Sequence, residues 1–437
     1  MSTSVIFEPL RLRTLEVKNR VFRSSLAGRF NNYDGTGTRT HVNWDLKFAR
    51  GGVGAIISSN APVHPRGLIV PNYAHIDDDR TIPFWRDLVE RVHEHGCKYL
   101  VQLAFSGRQR DLGGIQFETG WSSTDKPEPI HGLRCERMTV PEIRQMVDDF
   151  AQGARRAREA GADGIEVHGC NGYLITQFLS PAINDRKDEY GGSLENRARF
   201  ALEIVRAIRS EVGPDYHLQF KITAVDYGND LFFWQSKGTP LAESVQVCKW
   251  LEEAGVDALH VSSGNTFPHP RNPAGDFPIK DVVRGYDTMI SSGRHTFRNY
   301  LLFRTWPFNR VFRWLWRRPS RDGIEGINLR DCRAVKEAVS IPVLCTGGFQ
   351  TASVVAAAIA RGDCDGVTIG RPLIANPNLV ELWRAGDDRP RRPCTYSNMC
   401  LINQLENPLG CYEESRFDSR EEMVREILSV YDPPAFT

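Results

Sequence analysis

The chain has 437 residues, with 55 Lys and Arg against 54 Asp and Glu, and ten cysteines. Charges that so nearly cancel exclude a general nucleic-acid-binding surface, and no apolar run approaches the length needed to cross a bilayer. The cysteines are irregularly spaced and the first nine residues lack the basic region and apolar core of a secretory signal, so a reducing cytoplasm is the expected compartment.

Short apolar runs follow one another along the chain: Arg20–Ser25, Gly54–Ser58, Tyr99–Leu103, Gly164–His168, His217–Ile222, Ala258–Val261, Ile341–Cys345 and Gly366–Gly370. Helical patterns separate them, the clearest from Pro141 to Ala160, opened by Val140-Pro141-Glu142 and stopped by Gly161. Eight buried strands alternating with helices predict an α/β fold, a (β/α)8 TIM barrel spanning 1–437 as one domain. The endings Glu159-Ala160-Gly161-Ala162-Asp163 and Glu253-Ala254-Gly255-Val256-Asp257 read as the repeated helix stop of one barrel. Between the sixth and seventh strands the connection from Ser262 to Asn328 is far longer than a βα loop, which predicts an insertion over 265–325. A C-terminal extension follows over 390–437.

The fourth strand runs into His168-Gly169-Cys170-Asn171-Gly172-Tyr173. In a parallel barrel the strand ends are where substrates sit. There His168 and Asn171 can aim two N–H donors at one carbonyl oxygen, and Tyr173 can supply a proton. A lone His in that place is more often a satisfied structural residue, and the flanking sequence decides. After the seventh and eighth strands, Thr346-Gly347-Gly348-Phe349 and Gly370-Arg371-Pro372-Leu373 stand at this fold's usual phosphate position. Glycines there let backbone N–H groups approach the oxygens, and Arg371 adds a charged fork. Lys221 lies inside the buried run Phe220-Lys221-Ile222 and needs a counter-charge.

The order His-x-x-Asn-x-Tyr, continued by Asn184-Asp185-Arg186-Lys187-Asp188-Glu189-Tyr190-Gly191-Gly192-Ser193-Leu194-Glu195-Asn196-Arg197, resembles the old yellow enzyme family of FMN-dependent oxidoreductases. The resemblance covers nearly the whole chain except about sixty residues near position 300. It implies bound FMN, with NADH or NADPH as electron donor, and reduction of the C=C bond of a small-molecule enone or enoyl substrate. It makes His168 and Asn171 the substrate-binding pair and Tyr173 the proton donor. Gln102 is implied as a ligand of the flavin pyrimidine edge, and Lys221 as the cation beside its N1 and O2. Gly347, Gly348, Gly370 and Arg371 would hold the phosphate. Two positions depart from the pattern. Ala27 stands where the family usually has a Thr or Cys touching flavin O4, which implies a lower flavin potential. Phe105 stands where many relatives have His, which implies a more apolar entrance to the substrate pocket.

A third departure lies in Cys394-Thr395-Tyr396-Ser397-Asn398-Met399-Cys400, with Cys411 eleven residues later. Multidomain relatives such as dienoyl-CoA reductases and trimethylamine dehydrogenase hold an iron-sulfur cluster here with four cysteines, and Ser397 falls on the second ligand position. Three thiols and a hydroxyl make a poorer cluster site, so no metal is expected. The alternatives are a flavin dehydrogenase or dienoyl-CoA-reductase-like enzyme carrying that cluster, a non-redox barrel lyase or isomerase, and a catalytically silent barrel.

Phe297 to Arg318 contains eight aromatics, six arginines and no acid. Its composition is that of segments lying in lipid headgroups, with Trp314, Trp316, Arg317 and Arg318 as the contacts, at the inner face of a membrane; Pro307 and the arginines forbid spanning. An oligomer interface or a pocket lid suits the same composition, and a homo-oligomer is expected. The segment would cap the active-site mouth and favour a lipophilic substrate.

Overall fold

A computed structural model describes residues 3–68, 71–110, 117–227, 238–264, 266, 268–289 and 293–431. The ends of two expected segments, 265 and 432–437, lie outside the described residues. Leu10–Leu12 (β1) and Leu15–Val17 (β2) form an antiparallel hairpin. The eight apolar runs then form the barrel strands: Val21–Arg23 (β3), Ala55–Pro62 (β4), Lys98–Ala104 (β5), Gly164–Gly169 (β8), His217–Thr223 (β9), Ala258–Ser262 (β10), Val343–Thr346 (β11) and Gly366–Ile369 (β12). Gly120–Ser122 (β6) and Cys135–Arg137 (β7) pair outside it. All barrel neighbours run parallel, and β12 pairs with β3 to close the ring.

The main helices are Arg39–Arg50 (α1), Ile82–His93 (α2), Val140–Glu159 (α3), Leu174–Leu179 (α4), Leu194–Val212 (α5), Leu241–Glu253 (α6), Ile279–Met289 (α7), Arg294–Arg304 (α8), Phe308–Arg317 (α9), Leu329–Lys336 (α10), Ala352–Ala360 (α11) and Arg371–Ala375 (α12). Helix α3 starts where the sequence predicts: Thr139 and Glu142 form a reciprocal capping box around Pro141, and Gly161 follows its end at φ +83°. None of the described helices is long and apolar enough to cross a membrane.

The helix-stop repeat has a second purpose. The carboxylates of Asp163, Asp257 and Asp365 accept the backbone N–H groups of Tyr99, Leu218 and Val343 at 2.8, 2.9 and 2.8 Å. Each aspartate thus satisfies a donor at the start of an adjacent strand. At that end of the barrel, Leu10, Leu12 and Val17 of the hairpin pack with Phe22, Ile57, Leu100 and Leu344. The N-terminal hairpin plugs the bottom, so the open end is the C-terminal one.

Strand β4 is longer than predicted, and its register with β5 shifts between Ile57 and Asn60. Such an irregularity re-aims side chains, and here it sends Asn60 to the cavity. The insertion carries α7, α8 and α9, with an apolar core of its own made of Phe277, Val282, Tyr286, Tyr300, Phe303 and Trp316. Trp316 is therefore not a surface contact: it is 3% exposed and turned inward.

Candidate active site

A cavity of about 690 Å³ opens over the C-terminal ends of the strands. That size is ordinary for a site holding a cofactor or drug-sized ligand. His168, Asn171, Tyr173, Lys221, Ala27, Gly347, Gly348, Gly370 and Arg371 all line it. So do Leu302, Phe303, Phe312 and Trp316 of the insertion, which thus roofs the site.

His168 is buried, and the Cys170 backbone N–H donates to its Nδ1 at 3.4 Å. Burial, reinforced by the charge of Lys221, holds its pKa well below the usual histidine value. The ring is neutral at pH 7, and with Nδ1 accepting, its proton sits on Nε2. Asn171 has a left-handed backbone, φ +60°, which Asn tolerates. Its Oδ1 accepts from Asn272 Nδ2 at 2.7 Å and from Cys170 Sγ at 3.2 Å, and its backbone carbonyl from Gln109 Nε2 at 2.8 Å. With its oxygen engaged, Asn171 offers its Nδ2 as a donor. Tyr173 packs edge-on against His168, ring centroids 4.8 Å apart. Burial, with Cys170 beside it, raises its phenol pKa well above the ordinary value. Among the described residues no group bonds its Oη.

Beneath this wall lies a buried charge network fixed by strand register. His168 pairs with Lys221, Lys221 with His260, and Glu166 with both Gln102 and Gln219. Glu166 accepts from Gln102 Nε2 and Gln219 Nε2, each at 2.5 Å, and from His260 Nδ1 at 2.7 Å. Burial alone would raise its carboxyl, but His260, Lys221 and Gln102 bring it down to about 2. Burial lowers the His260 pKa, so the neutral ring donates from Nδ1 to an ionised carboxylate. Glu166 is thus a counter-charge for Lys221 from within the chain, where the sequence reading looked only to a flavin.

Gln102 is fully buried; its Nε2 donates to Glu166 at 2.5 Å and its Oε1 has no partner. Phe105 is 1% exposed, its ring stacked on Trp121 at 12° with centroids 6.3 Å apart. Asn60 and Asn272 escaped the sequence reading. The polar triplet Ser58-Ser59-Asn60 inside an apolar strand was the one signal for the first; nothing in Pro270-Arg271-Asn272-Pro273 singles out the second.

On the opposite wall, Gly348 has φ +68°, and a Cβ there would come within 2.7 Å of Ile324. Among the described residues the N–H groups of Gly348 and Arg371 have no acceptor. The Arg371 guanidinium donates to the Ala274 carbonyl and to Asn398 Oδ1, and lies 5.3 Å from the Tyr396 ring centroid. Asn398 Nδ2 donates in turn to the Asp276 carbonyl at 2.8 Å, and the Tyr396 hydroxyl to the Gly348 carbonyl.

A closed (β/α)8 barrel with a cation and neutral donors above its strand ends, and glycine-rich turns after its last two strands, has the arrangement with which such barrels bind phosphorylated ligands. The sequence profile of the NADH:flavin oxidoreductase / NADH oxidase family matches residues 5–280, and the chain belongs to that family. A dihydrouridine synthase profile matches residues 317–430, which hold β11, β12 and the C-terminal segment of the same barrel. The NADH oxidase of Thermoanaerobacter brockii is 31% identical over 424 residues, covering 94% of this chain and 57% of that protein. The NADPH dehydrogenase of Halalkalibacterium halodurans is 34% identical over 292 residues, covering 66% of this chain and 82% of that one. Among solved structures, 2-naphthoyl-CoA reductase in complex with 2-naphthoyl-CoA superposes with a TM-score of 0.75 at 22% identity, over 94% of this chain and 57% of that one; it shows the fold. The chain spans little more than half the length of the first of these relatives.

The family implies FMN, and the residues fit it. Gly347, Gly348, Gly370 and Arg371 line the cavity where glycine leaves the backbone open to a phosphate, and the Gln102 Oε1 is a buried acceptor without a partner. Lys221 would stand by its ring and Gly347, Gly348, Gly370 and Arg371 by its phosphate. The C-terminal segment does not fit a four-thiolate cluster. Cys394, Ser397, Cys400 and Cys411 surround a space of about 20 Å³, roughly that of one water. Arg416 Nη1 lies 3.0 Å from Cys411 Sγ, and burial raises the pKa of Cys394 and pushes that of Cys400 to about 12.

Proposed function

We propose that the protein reduces the C=C bond of a lipophilic α,β-unsaturated carbonyl compound, with NADH or NADPH as reductant. The observation that carries this reading is one wall of uncommitted protons: the His168 Nε2–H, the Asn171 Nδ2 and the Tyr173 hydroxyl. FMN, held by Lys221, Gly347, Gly348, Gly370 and Arg371, would supply the hydride chemistry that links the nicotinamide to the substrate C=C bond. His168 and Asn171 hold the carbonyl oxygen between two neutral donors, so negative charge building there is stabilised without a prior proton transfer. Tyr173 keeps its proton through the physiological range, because burial raises its pKa, and gives it to the α-carbon. One hydride and one proton saturate the bond. A roof of Leu302, Phe303, Phe312 and Trp316 supports an apolar substrate.

The dehydrogenase alternative draws support from three thiols facing one space, but Ser397 leaves that space without a fourth thiolate. The test is anaerobic: the FMN-containing protein is mixed with NADH or NADPH, loss of flavin absorbance is followed, and a panel of enones is then added. Reduction by a nucleotide and reoxidation by an enone are expected. Failure of every enone to reoxidise a reduced flavin would overturn the reading.

A further inference from the structure

The roof over the cavity has an outer face as apolar as its inner one. Nine large hydrophobic side chains are exposed among the described residues, and six of them lie between 297 and 314. They are Trp306 at 70%, Phe308 at 57%, Val311 at 53%, Trp314 at 51%, Phe297 at 49% and Leu301 at 44%. Scattered exposed apolar residues need no explanation, but a concentration on one hairpin marks a surface that meets something.

The helical period sorts the residues. In α9, Phe308, Val311 and Leu315 share one face, Phe312 and Trp316 turn to the cavity, and Arg310, Arg313 and Arg317 run along the remaining side. In α8, Phe297 and Leu301 are stacked one turn apart on the outside. Trp306 in the short turn between the helices and Phe308 at the start of α9 are the two most exposed of the six. Arg313 and Arg317 share Asp276, while Arg298, Arg304, Arg310 and Arg318 have no carboxylate partner among the described residues. Arg318 lies 4.7 Å from the Trp314 ring, a cation over an exposed aromatic.

We infer that the α8–α9 hairpin seats the protein on an anionic lipid surface, with the exposed aromatics at the acyl boundary and the arginines that lack a carboxylate partner on the headgroup phosphates. Tryptophan and arginine together are the residues that settle at that depth, one end apolar and the other wet. Helices of 11 and 10 residues reach only about 16 and 15 Å, half the hydrocarbon thickness, so the hairpin lies in the interface. A second copy of the chain is the poorer occupant. A two-fold contact through this face would bring its arginines against the same arginines, with no acid between 297 and 318 to meet them. Because the other face of the same helices roofs the cavity, docking here sets the cavity's roof against the bilayer. For the reaction proposed above, that favours substrates dissolved in lipid, although docking itself does not rest on that reaction.

The test is vesicle flotation of the full FMN-loaded chain, read by protein recovery rather than by turnover. Vesicles of equal phosphatidylglycerol and phosphatidylcholine should carry the protein at low salt. Recovery should fall at least tenfold on pure phosphatidylcholine or in 0.5 M NaCl, since each arginine near an anionic surface contributes about a fivefold factor that salt screens. Two variants divide the contributions: Trp306→Ser with Phe308→Ser and Trp314→Ser, and Arg310→Gln with Arg318→Gln. Both change exposed side chains outside the active-site cavity, so flavin content and melting temperature should match wild type while recovery drops at least tenfold in each. Wild type that stays with the soluble fraction at low salt overturns the inference, as does either variant floating like wild type. So does a concentration-dependent dimer that the aromatic variant abolishes, which would assign the face to self-association.

Discussion

Asn272 lines the cavity and holds Asn171 through one hydrogen bond, 2.7 Å from its Nδ2 to Asn171 Oδ1. That bond decides which end of the Asn171 amide faces the substrate. Asn272→Ala removes a neutral hydrogen bond worth about 1 kcal/mol, so kcat/KM for an enone should fall about fivefold as the amide becomes free to rotate. Asn272→Asp is nearly isosteric and should do more harm. An ionised carboxylate can only accept, so it draws the Asn171 Nδ2 to itself and turns Oδ1 toward the substrate oxygen. The site then loses a donor and gains an acceptor facing an acceptor, a change of about 2–3 kcal/mol, or about 30- to 150-fold in kcat/KM. Affinity for an unreactive carbonyl ligand should fall in the same order, with flavin content unchanged as the control. Equal losses in the two variants, or an Asn272→Asp enzyme resembling wild type, would refute the assignment of the amide.

Tyr173→Phe should slow reoxidation of the reduced flavin by an enone about 10²- to 10⁴-fold while carbonyl-ligand affinity stays within about twofold; wild-type rates in single-turnover mixing would remove the proton-donor role. Ala27→Thr, at a position lining the cavity, should raise the flavin potential by about 20 mV if its hydroxyl reaches O4, one neutral hydrogen bond spread over two electrons. Potentiometric titration checks this, and an unchanged potential with the hydroxyl in place contradicts it. His41, His168, His217 and His260 are buried and held below the ordinary histidine pKa, burial being the first cause in each. The unfolded chain takes up protons near pH 6.5 that the folded one refuses, so stability should drop as pH falls from 6.5 to 5, by at most about 1.4 kcal/mol per pH unit for each histidine. Thermal melts that are flat across that window would show these rings to be charged in the fold. Anaerobically purified protein should lack stoichiometric iron and acid-labile sulfide; their presence would mean that Ser397 and the Arg416 contact tolerate a cluster.

The barrel was legible because each strand is an apolar run buried on both faces, and because three of the helix stops lead to an aspartate, Asp163, Asp257 or Asp365, with a definite backbone task. His168, Asn171 and Tyr173 were legible because six consecutive residues leave a strand together. The engagement of the Gln102 amide nitrogen by Glu166 was not legible, because it depends on the layer at which neighbouring strands register. Asn60 is carried to the cavity by a strand irregularity, and Asn272 by a long connection without periodicity. The hairpin's composition was readable, but the division of its aromatics into roof and outer surface was not, and Trp316 fell on the unexpected side.

Arg371 is held by the Ala274 carbonyl from the insertion and by Asn398 and Tyr396 from the tail. Recombination between relatives therefore has a constraint that barrel topology does not suggest. A chimera that exchanges the insertion alone, or ends the chain before Tyr396, would strip this arginine of half its supports while leaving every strand in place. Such a protein should fold and yet release its flavin on dialysis. The two appendages behave as one heritable unit, and a graft that moves them together should keep its colour.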